Sequence, residues 1–110
     1  MPERNAVRVV PRNAVTVAIE GQDGHNTYGV VANISGGGVC VWTGGAFQMG
    51  ETLILQLSFA RQPQPLQAAG HIVWTERNQD DEGARRYGLQ WAHTSGPQYA
   101  RLSSEISSSP

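Results

Sequence analysis

Apolar residues recur at every second position in short stretches, and that period of two restricts the chain to strands wherever it holds. Leu53, Leu55, Leu57 and Phe59 face one way, with Gln56 and Ser58 facing the other. Val15, Val17 and Ile19 alternate with Ala14, Thr16 and Ala18 in the same manner. Thr27–Ile34, Val39–Trp42, Leu66–Glu76 and Arg86–His93 complete a set of six short strands, the last with Tyr87, Leu89 and Trp91 on one face. Turn residues separate them: Gly21-Gln22-Asp23-Gly24, Ser35-Gly36-Gly37-Gly38, Gly44-Gly45 and the Pro63/Pro65 loop. Arg77–Gly83, with its acidic run Asp80-Asp81-Glu82, reads as a solvated hairpin loop. Near the end the period changes. Ser95 is placed to cap a helix, Pro97 suits its first turn, and Tyr99, Leu102 and Ile106 then form one apolar stripe.

Six short antiparallel strands bury their apolar faces most readily by closing on themselves, which also removes exposed edges. The expected fold is therefore all-β, a six-stranded antiparallel, Greek-key-like β-barrel with a C-terminal α-helix lying against it or capping one end. At 110 residues there is room for one core. Residues 1–13 read as a flexible arm, 14–106 as barrel plus helix, and 107–110 as a disordered tail.

Composition narrows the function. Eight basic against nine acidic residues give a formal charge of −1, which excludes a globally basic nucleic-acid or membrane-surface binder. All eight basic residues are arginine, the side chain that forks onto phosphates and guanine edges. A single cysteine, Cys40, permits no internal disulfide, and no stretch approaches the roughly 20 apolar residues that span a bilayer. The N-terminus lacks the apolar segment of a signal peptide, so a cytoplasmic location is expected. His25, His71 and His93 are scattered and without metal-ligand spacing, and no nucleophile–base pair, P-loop or paired carboxylate can be assembled. Neither a metal, nor a cofactor, nor an enzymatic activity is expected. Trp42, Trp74 and Trp91 read as core or barrel-end packing, with a ligand-facing position as the alternative for Trp42.

Two segments carry recognition chemistry. The arm holds Arg4, Arg8 and Arg12 against one acid, Glu3, and Val9-Val10-Pro11 favours an extended course. At the end of the second strand, Asn33 and Ser35 stand two apart, so strand alternation puts their amide and hydroxyl side by side. Gly36, Gly37 and Gly38 follow, where a ligand can approach backbone N–H groups closely. Arginines beside a polar, glycine-rich ledge suit a small anion with flat hydrogen-bonding edges. Guanine offers O6 and N7 to a guanidinium fork, and a phosphate offers paired oxygens.

These two segments, in this order, resemble the PilZ domain, a family that binds the bacterial messenger cyclic di-GMP. The family carries RxxxR in its N-terminal segment and (D/N)xSxxG about two dozen residues later, here Arg4–Arg8 and Asn33–Gly38. Gly50, the Gly70–Trp74 segment and Tyr87-Gly88-Leu89 resemble the family's later strands. The chain departs from the pattern in having Asn33 where many members have Asp, and Glu3 where many have arginine. Arg8–Arg12 forms a second, overlapping RxxxR; Arg4–Arg8 is preferred because a few residues then separate Arg8 from the first strand. The resemblance implies that Arg4 and Arg8 contact phosphates and guanine edges, that Asn33 and Ser35 hydrogen-bond the ligand, and that Gly36, Gly37 and Gly38 let it sit against the backbone. It also implies a stand-alone receptor that relays the messenger to a cytoplasmic protein partner, as a monomer or weak homodimer, without binding DNA or RNA.

Two other readings compete. A nucleotide-independent adaptor of the same family would act through protein contacts alone. An unrelated small barrel would bind single-stranded nucleic acid through a basic groove interleaved with aromatics, which a charge of −1 disfavours.

Overall fold

Each alternating segment becomes a strand whose apolar set points inward. The structure, a computed structural model, describes residues 14–77 and 84–108; the N-terminal arm and most of the acidic loop lie outside these residues. The strands are β1 (Thr16–Glu20), β2 (Asn26–Ile34), β3 (Gly38–Thr43), β4 (Thr52–Ser58), β5 (Leu66–Arg77) and β6 (Arg85–Trp91), followed by helix α1 (Pro97–Ser108). All neighbouring strands pair antiparallel, and the sheet closes in the order β1-β2-β3-β6-β5-β4. Two three-stranded meanders, β1–β3 and β4–β6, are thus sealed to one another by β1·β4 and β3·β6. No strand is left with an open edge among the described residues.

The interior is filled by the alternating set: Val17 and Ile19 from β1, Val39 and Val41 from β3, Leu53, Leu55 and Leu57 from β4, and Tyr87 and Leu89 from β6 are all buried. Removing one such aliphatic side chain from water contributes about 1.5–3 kcal/mol. The expected architecture therefore holds, with strand limits within two residues of those the alternation marks.

The two barrel ends are closed differently. In a six-stranded ring β3 and β4 stand opposite one another, so the link between them, residues 44–51, crosses one end. Phe47 of this link packs edge-on against Tyr87, with ring centroids 5.6 Å apart. The Phe47 N–H donates to the Tyr87 hydroxyl at 3.0 Å, and that hydroxyl donates to the Gly45 carbonyl at 3.2 Å. Removing the hydroxyl leaves both backbone groups without this partner. Tyr87→Phe is accordingly expected to cost about 1–3 kcal/mol, read as a lowered thermal midpoint with an unchanged circular dichroism spectrum.

Helix α1 closes the other end, as the sequence allowed. Leu102 and Ile106 are buried against the core, with Tyr99 partly so. Buried Glu105 accepts a 2.8 Å hydrogen bond from Gln62 Nε2 in the β4–β5 loop. Gly96, not Ser95, stands at the helix start, its carbonyl accepting the N–H of Ala100 at 3.0 Å, while Pro97 takes the first helical position as expected. Ser107 and Ser108 belong to the helix and not to a tail.

Candidate functional site

Strand alternation alone places Asn33 inside with Val31, and Trp74 inside with Ile72. Two bulges reverse this. The β2–β3 register slips between Val31 and Asn33, so that Asn33 pairs with Cys40. The β5–β6 register slips between Ile72 and Trp74, so that Trp74 pairs with Gly88. Cys40 pairs with Gly88 in turn. Paired residues share a face, and Val39, Val41, Tyr87 and Leu89 occupy the inner one. Asn33, Cys40, Gly88 and Trp74 therefore form one row across the outer surface of four strands. Cys40 is buried within it, and Asn33 is half-buried.

The next outer row runs Thr16, Val30, Trp42, Arg86 and Glu76. The Arg86 guanidinium lies 5.4 Å from the Trp42 ring centroid and 5.6 Å from that of Trp74, and its Nη2 pairs with the Glu76 carboxylate. Arg86 Nε is buried with no hydrogen-bond partner among the described residues, so the two indole faces and Glu76 stabilise this cation. Trp74 lies flat over Gly88, where a Cβ would run into the indole. Of the three tryptophans only Trp91 is core, at 4% exposure. Trp42 and Trp74 sit on the outer wall, half-buried. For Trp42 the signal was available, since inward Val39 and Val41 force it outward; for Trp74 the bulge hid it.

Between β2 and β3, Ser35 and Gly38 close a tight turn, the Ser35 N–H donating to the Gly38 carbonyl at 2.8 Å. Ser35 lies beyond the end of β2, so alternation no longer governs it. Its side chain does not stand beside that of Asn33 as expected. It is 3% exposed, and its hydroxyl oxygen accepts the N–H groups of Gly37 and Gly38 at 3.2 and 3.3 Å. None of Gly36, Gly37 and Gly38 has φ in the left-handed region. Gly38 is glycine for want of space, because a Cβ there would strike the Leu89 carbonyl of β6.

The three turn carbonyls are all fastened. The Ser35 carbonyl accepts Trp91 Nε1 at 2.9 Å, that of Gly36 accepts the Tyr99 hydroxyl at 2.8 Å, and that of Gly37 accepts the Trp91 N–H at 3.0 Å. Every peptide among the described residues is trans, so each N–H points opposite to the carbonyl before it. The Gly36 N–H consequently faces away from Trp91. The arm begins at this same end of the barrel, where the Val31 N–H donates to the Val15 carbonyl at 2.9 Å. Arg4 and Arg8 themselves lie outside the described residues.

At the opposite end, the Asp23 carboxylate is held below the usual range, first by the His25 backbone N–H at 3.0 Å and then by the His25 ring. Both are exposed and local to the β1–β2 turn. Among the described residues no three His, Cys, Asp or Glu side chains gather as a metal site, and no helix is long and apolar enough to cross a membrane.

No curated protein matches the chain as a relative. Solved structures do match it. The PilZ domain of YcgR from Escherichia coli, solved with c-di-GMP, superposes with a TM-score of 0.74 at 14% identity, covering 94% of this chain and 87% of that one. The Bacillus subtilis inhibitor of motility MotI/DgrA gives 0.70 at 24% identity, covering 97% of this chain and 51% of that one. The K. pneumonia MrkH–c-di-GMP complex gives 0.68 at 13% identity, covering 96% and 49%. This chain thus spans about half the length of the latter two. The PilZ domain family matches residues 2–107, taking in the arm, the outer row and the glycine turn alike, and the chain belongs to that family.

Proposed function

We propose that the chain is a cyclic di-GMP receptor module that works by binding and not by catalysis. Arg4 and Arg8 fork onto the phosphates and guanine edges, Asn33 hydrogen-bonds the ligand from the outer row, and the Gly36–Gly38 turn receives it against the backbone. Ser35 contributes by holding that turn in shape. The observation that carries this reading is the convergence of the arm's root, Asn33 and the turn at one barrel end. Arg8 precedes Ala14 by six residues, a reach of about 20 Å when extended, enough to lay its guanidinium over the outer row. Trp74 in that row and Trp42 in the next put two indoles on the same outer wall. YcgR and MrkH, two of the similar structures, were solved with c-di-GMP, which supports the same ligand here. The bound arm then presents a changed surface to a protein partner in the cytoplasm.

Calorimetric titration with cyclic di-GMP tests this directly. The expected result is saturable heat with an affinity of about micromolar or tighter, near −8 kcal/mol, accompanied by a change in tryptophan emission from Trp42 and Trp74. No heat and no emission change from folded protein would leave the nucleotide-independent adaptor. Salt-dependent binding of an oligonucleotide, without response to the dinucleotide, would favour the single-strand reading.

A further inference from the structure

The three fastened carbonyls of the glycine turn have two different kinds of partner. Trp91, which holds Ser35 and Gly37, belongs to β6 and is fixed in the barrel wall. Tyr99, which holds Gly36, belongs to α1, the one described element outside the sheet. A helix of this length is marginal by itself in water, so the order of α1 depends on its docking. That docking is uneven. Leu102, Glu105 and Ile106 bury the later turns. Beneath the first turns, by contrast, a cavity of about 330 Å³ opens between β5 and the helix, lined by Ala68, Ala69, Pro97, Tyr99 and Leu102 among others. The Tyr99–Gly36 hydrogen bond, together with the packing of the Tyr99 ring on the core, thus ties the helix's leading half to the turn.

We infer that Tyr99 is a positioning residue for the ligand turn, and that through it α1 is energetically coupled to the turn's occupancy. The inference rests on the receptor reading above only for the identity of the ligand. Drawing the Gly36 carbonyl toward α1 turns the Gly37 N–H toward Ser35 Oγ, and the same rule at Ser35 leaves the Gly36 N–H directed outward for an anion. A ligand that selects this turn geometry favours the seated helix. By linkage, anything that unseats the helix's first turns lowers ligand affinity by the same factor.

Three proteins test it: wild type, Tyr99→Phe and Gln62→Ala. Tyr99→Phe keeps the ring packed and removes only the hydroxyl, while Gln62→Ala frees the far end of α1 from its bond to Glu105 without touching the turn. In ligand-free protein, the Gly37 and Gly38 amides of Tyr99→Phe are expected to exchange at least about threefold faster, and those of Gln62→Ala at the wild-type rate. In titrations, Tyr99→Phe is expected to bind cyclic di-GMP about fivefold more weakly, the loss of one ordinary hydrogen bond, with Gln62→Ala within about twofold of wild type. Ligand should protect the α1 amides in wild type and not in Tyr99→Phe. Unchanged turn exchange in Tyr99→Phe, or equal affinity losses in the two variants, would overturn the inference. If the wild type binds no dinucleotide the receptor reading fails, while the exchange comparison still decides whether Tyr99 holds the turn.

Discussion

Arg8→Ala is expected to weaken cyclic di-GMP binding by at least about tenfold and as much as a hundredfold. A hydrogen bond to a charged group typically contributes about 1.5–3 kcal/mol, and each 1.4 kcal/mol is a factor of ten. Arg8 is the position of choice because it is common to both RxxxR registers, Arg4–Arg8 and Arg8–Arg12. Its loss therefore removes a motif arginine whichever pair engages the ligand. Single replacements at the two outer positions then separate the registers. Arg4→Ala is expected to behave like Arg8→Ala, while Arg12→Ala should stay within a few-fold of wild type, as a charge flanking the site. The reverse order would assign the site to Arg8–Arg12. A calorimetric isotherm for Arg8→Ala that overlays the wild type would remove the arm from the binding site altogether.

The sheet could be read from alternation because inward residues recur at every second position, as in Leu53, Leu55 and Leu57, and a slip of one would expose the whole set. What alternation could not show is where it breaks. The slips at Val31/Asn33 and Ile72/Trp74 each insert one residue, and each moves a side chain from the inner to the outer wall. Asn33 was assigned to the site from its motif, and Trp74 to the core or a barrel end from its strand position; the bulges put both on one outer row. Ser35 shows the opposite limit. Its motif position was legible, but its role depends on the strand ending at Ile34, after which the hydroxyl turns onto its own backbone as Asx- and Ser-type turns do. The Tyr99–Gly36 bond joins residues 63 apart in sequence, and no local pattern announces it.

Gly38 and Gly37 sit side by side in the same turn, yet alanine should have very different effects at the two. Neither has φ in the left-handed region, so backbone strain does not separate them. Space does. At Gly37 a new Cβ would find only Ser35 Oγ, at 3.9 Å, and Gly37→Ala should change stability by no more than about 0.5 kcal/mol. At Gly38 it would collide with the Leu89 carbonyl, a backbone atom in the β3–β6 ladder that cannot swing aside. Relief requires β3 to draw away from β6, loosening the Cys40–Gly88 pairing at the centre of the outer row and the Ser35–Gly38 closure of the turn. Overpacking of this kind costs about 3 kcal/mol. For a domain of this size that is a fall in thermal midpoint of roughly ten degrees or more. Cyclic di-GMP affinity should fall along with it, whereas in Gly37→Ala any loss of affinity would appear without a loss of stability. A Gly38→Ala protein that melts within two degrees of wild type would show that β3 and β6 have room to spare, and that this glycine is not fixed by the approach of its neighbouring strand.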